Sequence, residues 1–249
     1  MVDLSRLHEF CNQLLNIQEF EDYCPNGLQV ESGEKVCRLA TGVTACQALI
    51  DAAVAWQADA LLVHHGYFWK GEAPYIRGIK GQRIGTLMRN GISMLAYHLP
   101  LDSHPELGNN RQLSQRLGLE AVEPVGQGGL VWQGRLVAPL SAGGLGRLLV
   151  ERLGQEPQHL PGGPEPIHRL AWCTGAAQGF IDQAATLGVD AYISGEVSEQ
   201  TAHQARELGI HYFAAGHHAT ERYGVQALGQ RLAREFGIEH RFIEIPNPV

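Results

Sequence analysis

Long apolar runs are missing from this sequence. No stretch approaches the roughly 20 residues that a membrane-spanning helix needs. The N-terminal Met1-Val2-Asp3-Leu4-Ser5-Arg6 opens a polar helix without a signal peptide's apolar core. Paired cysteines are missing too. Cys11, Cys24, Cys37, Cys46 and Cys173 are odd in number and form no C-x-x-C pair. That pattern fits reduced cytoplasmic thiols and excludes a disulfide framework or a zinc knuckle. There is no excess of positive charge: the formal net charge of −7 argues against a generally basic nucleic-acid surface. A local basic stripe, or one made by assembly, stays open. Three familiar signatures are absent as well. No G-x-x-x-x-G-K-[ST] occurs, Gly126-Gln127-Gly128 lacks the rest of a dinucleotide fingerprint, and no G-x-S-x-G elbow is present. The expectation is a cytoplasmic protein with no membrane partner.

What is present is a chain of 249 residues, 44% hydrophobic and 18% charged, enough for one large core or two modest ones. Leu4, Leu7, Cys11, Leu14 and Leu15 recur at helical spacing behind Asp3, a plausible N-cap. Val36 to Val43 reads as a strand and Cys46 to Trp56 as an alanine-rich helix. Ala60 to Val63 is wholly apolar, as expected of a strand buried on both faces. Residues 66–81 read as a loop carrying Tyr67, Phe68, Trp69 and Lys70. A helix over Gln82 to Arg89, a strand over Ile92 to Tyr97 and a helix over Asn110 to Leu117 follow. Residues 119–140 change character, with Gly126-Gln127-Gly128-Gly129 suggesting irregular strands or a crossover. Leu145 to Leu153 reads as helix, and His159 to Pro166 as a loop.

The early pattern then returns. At an offset of 131, Arg38, Leu39, Ala40, Ala45, Gln47, Ile50, Asp51, Ala53, Asp59 and Ala60 reappear as Arg169, Leu170, Ala171, Ala176, Gln178, Ile181, Asp182, Ala184, Asp190 and Ala191. Ten identities in twenty-eight ungapped positions outweigh shared alanine composition, because Arg, Gln, Ile and Asp also align. A looser echo at an offset of 118 pairs Gly91-Ile92 and Ala96 with Gly209-Ile210 and Ala214. Two similar α/β lobes follow, each with a mostly parallel sheet and flanking helices. The expected boundary leaves residues 1–125 in one lobe and 126–249 in the other, with the chain terminus free to pack on the first.

The repeat places the chemistry. Leu61-Leu62-Val63-His64-His65-Gly66 is an apolar strand ending in two imidazoles; its counterpart ends in Gly195-Glu196. His98 and His217 follow the next strand of each lobe. Chemically interesting residues therefore fall at strand C-termini, where open α/β sheets carry ligand sites. His217 and Glu221, at i and i+4, share one helix face. His64, His65, Asp102, His217 and Glu221 make an N/O donor set suited to two divalent ions of Zn, Mn, Fe or Co. Such a pair lowers the pKa of a bridging water. Singly, each residue has a plainer reading: a surface His pair, a solvated helix face, a turn aspartate. Their joint placement favours metal. His98 is an orienting group or proton shuttle, or simply a satisfied buried histidine. Glu196 is a general base or a partner to a ligand, or a carboxylate complementing a helix dipole. His218 serves substrate or nothing, and Asn109-Asn110 are a cap or a ligand contact. Tyr67, Phe68, Trp69 and Lys70 grip a planar phosphorylated ligand, or the aromatics pack in the core or at a subunit contact.

At these residues the chain resembles the Nif-three-like dinuclear-metal family, the GTP cyclohydrolase 1 type 2 homologues, and most closely its bacterial YbgI-like branch. The resemblance rests on Pro25-Asn26-Gly27-Leu28-Gln29-Val30, Thr41-Gly42-Val43-Thr44, Val63-His64-His65-Gly66, His98-Leu99-Pro100-Leu101-Asp102, Ser194-Gly195-Glu196 and Gly216-His217-His218-Ala219-Thr220-Glu221. It runs nearly end to end. It implies the same five metal ligands, two α/β lobes, a ring-shaped homohexamer (a toroid) and GTP ring opening. It also implies the compact form, since residues 119–140 leave no room for the inserted domain of longer relatives. The function expected is a metal-dependent hydrolase acting on a nucleotide or similar small polar substrate, with Glu196 or His98 handling protons. The alternative is a non-catalytic metal-binding ring that serves as a scaffold or binds DNA or a partner; the net charge gives DNA no support.

Overall fold

The computed structural model describes residues 1–249, except the side chain of Gln127 in the glycine run 126–129, which lies outside the described set. In chain order the first elements are β1 (Val2–Asp3), α1 (Leu4–Leu14), β2 (Gly27–Val30), β3 (Lys35–Val36), β4 (Arg38–Thr44), α2 (Gln47–Ala55), β5 (Ala60–His65), α3 (Gly78–Arg89), β6 (Ser93–Ala96) and α4 (Leu99–Ser103). Then come α5 (Asn109–Leu117), β7 (Glu120–Val125), β8 (Val131–Leu140), α6 (Ala142–Leu153), β9 (Gln158–Leu160), β10 (Ile167–Trp172), α7 (Ile181–Thr186), β11 (Ala191–Ser194), α8 (Glu199–Leu208) and β12 (His211–Ala214). The chain ends with α9 (His217–Phe236) and β13 (Glu239–Phe242).

Two compact units result, Met1–Leu107 with Gly224–Ile245, and Gly108–Tyr223 with Pro246–Val249. The division falls at Leu107/Gly108, not at the expected 125/126. Leu113 and Leu117 of α5 explain the difference, because they pack into the second unit's core. The C-terminal return is likewise explicit: β13 pairs in parallel with β4, Glu239 opposite Arg38 and Phe242 opposite Thr41.

The first unit's main sheet has the order β13-β4-β5-β6-β2. Its four strands from β13 to β6 run parallel, and β2 closes the edge antiparallel to β6. Side chains of a strand alternate between faces, and the two cores of this unit follow that rule. Leu62, Leu39 and Leu95 face α1 and the Val225, Leu228 and Leu232 stripe of α9. Leu61, Val63, Ala40 and Met94 face Leu49 and Ile50 of α2 and Ile84 and Leu87 of α3. β5 is thus covered on both sides, which is why its sequence is continuously apolar. Burying each of Leu61, Leu62 and Val63 contributes about 1.5–3 kcal/mol.

The second unit repeats the plan in the order β7-β8-β10-β11-β12-β9. β10, β11 and β12 are parallel; β8 and β9 flank them antiparallel. Residues 119–140, expected as irregular strands or a crossover, form the antiparallel β7–β8 pair, whose register shifts between Glu120 and Glu123, and β8 continues as a ten-residue strand alongside β10. α5 and α6 cover one face through Leu113, Leu145 and Leu149. α7 and α8 cover the other through Ile181, Ala184 and Ala205.

The repeat has a physical content. Asp59 Oδ2 accepts hydrogen bonds from the backbone N–H groups of Cys37 and Arg38 at 2.7 and 2.8 Å. Asp190 Oδ2 accepts from His168 and Arg169 at 2.7 and 2.9 Å. Each aspartate therefore clamps the start of the preceding parallel strand. The looser offset also appears: Ser93 N donates to Asp59 O, and His211 N donates to Asp190 O. Among the described residues no helix is long and apolar enough to cross a membrane.

Candidate metal centre

In the first unit the strand β5 extends through both histidines, which lie at its C-terminal end. His64 is fully buried and His65 partly so, with ring centroids 4.6 Å apart. Gly66 lets the chain leave the sheet closely, since a Cβ there would stand 2.6 Å from the Ala96 Cβ. His64 Nδ1 lies 2.8 Å from the Tyr97 carbonyl, which can only accept, so the proton sits on Nδ1 and Nε2 is the nitrogen that can ligate. Nε2 faces Asp102 Oδ1 at 3.4 Å. Two ligands bound to one tetrahedral ion stand about 3.4 Å apart, given metal bonds of about 2.0–2.1 Å. His65 Nδ1 is held by Thr44 Oγ1 at 3.2 Å, across the β4–β5 register.

Asp102 is carried by α4, a five-residue helix with Pro100 in its first turn. His98 precedes that helix, and a ring nitrogen of His98 joins those of His64 and His65 in a group whose ligating atoms lie within 4.8 Å of one another. Antiparallel pairing of β2 with β6 brings residues 22–26 beside His98. Asn26 Oδ1 accepts from His98 N, and Asp22 accepts from the His98 ring and from Leu99 N. Trp69 packs edge-on to His98 with centroids 5.0 Å apart, whereas Tyr67 is buried with its hydroxyl on the Ala45 carbonyl. Tyr67 is thus a packing residue and Trp69 walls the histidine cluster.

In the second unit His217 begins α9, and Glu221 follows one turn later, almost fully buried. His217 Nδ1 contacts Glu196 Oε1 at 2.7 Å and Nε2 contacts Glu221 Oε2 at 2.9 Å. Burial alone would lower the imidazole, but hydrogen bonds to Glu221 and Glu196, with their charges, carry it up to about 9. Glu196 is held in turn by its backbone, whose carbonyl accepts from the Tyr212 hydroxyl. Gly175, the repeat counterpart of Thr44, sits against this cluster with φ +71°; a Cβ there would lie 1.8 Å from Glu221 Oε1. Thr220 Oγ1 accepts from Gly175 N, and Ser194 Oγ donates to Gly175 O.

The first unit therefore gathers His64, His65, His98 and Asp102, and the second gathers His217, Glu221 and Glu196. Among the remaining candidates, Asn110 is internal, accepting from Thr174 N, and His218 is buried with its N–H on the Val249 carbonyl. Sequence reasoning missed Asp22, Thr44, the Tyr97 carbonyl and Gly175. Only Gly175 carried a usable signal, as the repeat position where a hydroxyl becomes a glycine.

The donor set fits a divalent metal. His64 and His217 each commit Nδ1 to an oxygen acceptor, and His65 Nδ1 meets a hydroxyl. An imidazole anchored through one nitrogen so that the other ligates is the usual arrangement around a bound ion. Residues 2–248 match the family described as Duf34/NIF3 (NGG1p interacting factor 3). The chain belongs to that family. It is 56% identical over 250 residues to the Pseudomonas aeruginosa protein named GTP cyclohydrolase 1 type 2 homolog, covering 99% of each chain. A protein of the same name from Allochromatium vinosum is 55% identical over 249 residues, covering 100% of this chain and 98% of that one. A solved structure titled "Structural genomics, protein ybgI, unknown function" superposes with a TM-score of 0.96 at 51% identity, covering 100% of both chains.

Proposed function

We propose that this protein is a divalent-metal-dependent hydrolase with a dinuclear centre whose ligands are His64, His65, Asp102, His217 and Glu221. The observation that carries this reading is the anchoring of His64 and His217 through Nδ1, with each Nε2 turned to a carboxylate. Two ions bound there would supply an activated water and a Lewis acid for a polar substrate. Five protein ligands for two ions leave positions open, as a catalytic site requires and a closed structural site does not. Within the chain, Tyr97 and Thr44 orient His64 and His65, and Glu196 orients His217. Proton handling then falls to His98, because the Glu196 carboxylate is engaged with His217.

The substrate class in this reading is a nucleotide or similar small polar molecule, with GTP the first to try because the relatives carry that name. The reading includes assembly as a ring-shaped homohexamer, for which sedimentation is the check. The test begins with metal analysis of the wild type against Glu221→Ala. The expected result is about two ions per wild-type chain and loss in the variant. Less than one ion per chain in both would overturn the proposal. Turnover is then screened across GTP, other nucleotides and phosphoesters with Mn, Zn and Fe. Absence of turnover, together with salt-dependent retention on DNA, would favour a non-catalytic ring.

A further inference from the structure

The first unit holds a carboxylate that the metal reading does not use. Asp22 lies in the loop ahead of β2, and its side chain is only 3% exposed. Its two oxygens are saturated by four donors. Oδ1 accepts from Tyr23 N at 2.6 Å and from His98 Nδ1 at 2.7 Å. Oδ2 accepts from Asn26 Nδ2 at 2.8 Å and from Leu99 N at 3.0 Å. Burial by itself would raise this carboxyl, but the bonds from His98, Asn26 and Tyr23 hold it down to about 2. Asp22 is therefore a buried, ionised group with no lone pair directed elsewhere.

That saturation decides between two uses of the cluster. Asp22, Cys24 and His98 have ligating atoms within 4.8 Å of one another, which could suggest a third metal. A carboxylate already accepting four hydrogen bonds is a poor ligand, however, and the buried Cys24 thiol is pushed up to about 12 by burial and by the Asp22 charge. What the geometry favours is a carboxylate–imidazole dyad. A carboxylate that accepts from Nδ1 fixes that nitrogen as the protonated one, so Nε2 is the nitrogen on the His64–His65 side. The ring is held there from several directions. His98 N donates to Asn26 Oδ1, and Trp69 lies edge-on at 5.0 Å. The His64 and His65 centroids stand 5.1 and 5.7 Å away.

We infer that Asp22 is a positioning residue: it locks His98 in the Nδ1–H form, so that Nε2 accepts a hydrogen bond from a hydroxyl or water on the His64–His65 face. This inference rests on the metal-hydrolase reading for its purpose, though not for its geometry. Asp22→Asn is the discriminating substitution. An asparagine whose oxygen still accepts from Leu99 N and Asn26 Nδ2 turns its NH₂ group towards Nδ1 and gives up the bond from Tyr23 N, so it removes the acceptor that fixes the tautomer and favours the opposite one.

The test is long-range ¹H–¹⁵N correlation on the labelled full chain, metal-free and zinc-loaded, at about pH 8.5, above the ordinary imidazole range; His98→Gln identifies the resonances. In the wild type, Nδ1 of His98 should be protonated with a proton resonance far downfield, and Nε2 should be bare and unmoved by zinc. In Asp22→Asn the downfield proton should vanish and Nε2 should become the protonated atom, with zinc stoichiometry unchanged. A wild-type His98 protonated on Nε2, alone or together with Nδ1, overturns the inference. So does a zinc-induced shift of Nε2 to a ligated position, or a tautomer indifferent to Asp22→Asn. If Asp22→Asn does not fold, the wild-type tautomer still decides. If zinc binds to neither protein, the metal reading fails while the metal-free spectrum continues to test the dyad.

Discussion

At Gly175 the backbone turns into the left-handed region, with φ +71°, directly beneath the Glu221 carboxylate. An alanine there would cost about 1–2 kcal/mol in backbone strain. It would also drive a methyl group to 1.8 Å from Glu221 Oε1, so the carboxylate must move. Gly175→Ala is therefore expected to fold, with a modest loss of thermal stability, and to bind zinc at least tenfold more weakly by chelator competition. Wild-type affinity in that variant would show that Glu221 does not depend on this glycine for its place. The counterpart Thr44 does the reverse, contributing a hydroxyl that holds His65. The ligand candidates themselves were legible in the sequence because an apolar strand ending in His64-His65, and a His217/Glu221 pair one helical turn apart, are local patterns. Asp22 was not legible, since its partner His98 is 76 residues away and only the β2–β6 pairing brings them together.

At the scale of elements, the ten repeated identities separate into two kinds. Asp59 and Asp190 each accept two backbone N–H groups at the start of a parallel strand. Asp51 and Asp182, equally repeated, are exposed and accept from the side-chain amides of Gln47 and Gln204. Hydrogen bonds to a charged group contribute about 1.5–3 kcal/mol, whereas surface substitutions usually stay within about 0.5 kcal/mol. Urea unfolding should accordingly place Asp59→Ala and Asp190→Ala about 1.5–3 kcal/mol below the wild type, with Asp51→Ala and Asp182→Ala close to it. Equal losses in all four would mean that the repeat reflects helix composition and not strand clamping. The central strands were readable from the sequence because they are buried on both faces and so continuously apolar. β13 was not: Glu239-His240-Arg241-Phe242 carries no apolar run, and it becomes a strand only because β4 offers an edge. β7 and β8 were blurred by the glycines between them, and their pairing itself shifts register between Glu120 and Glu123.

At the scale of the whole molecule, each unit carries its own set of donors. Two imidazoles and a carboxylate stand in the first, with His98 beside them, and one imidazole and one carboxylate stand in the second. If both sets serve one dinuclear centre, as proposed, metal binding and the stability of the whole chain are linked. An ion that binds only the folded protein stabilises it by about 2.7 kcal/mol at a hundred times its Kd. For a chain of this size that corresponds to about 5–10 °C in Tm. Zinc should produce a shift of that order in the wild type and almost none in either His64→Ala or Glu221→Ala. The double variant should behave like each single one, because removing either set already dismantles the centre. Two independent sites would give a different pattern: each single variant would keep roughly half of the shift, and only the double variant would lose it all. A calorimetric scan of the four proteins with and without zinc separates these cases, since a shared centre makes the two losses non-additive where separate sites make them sum.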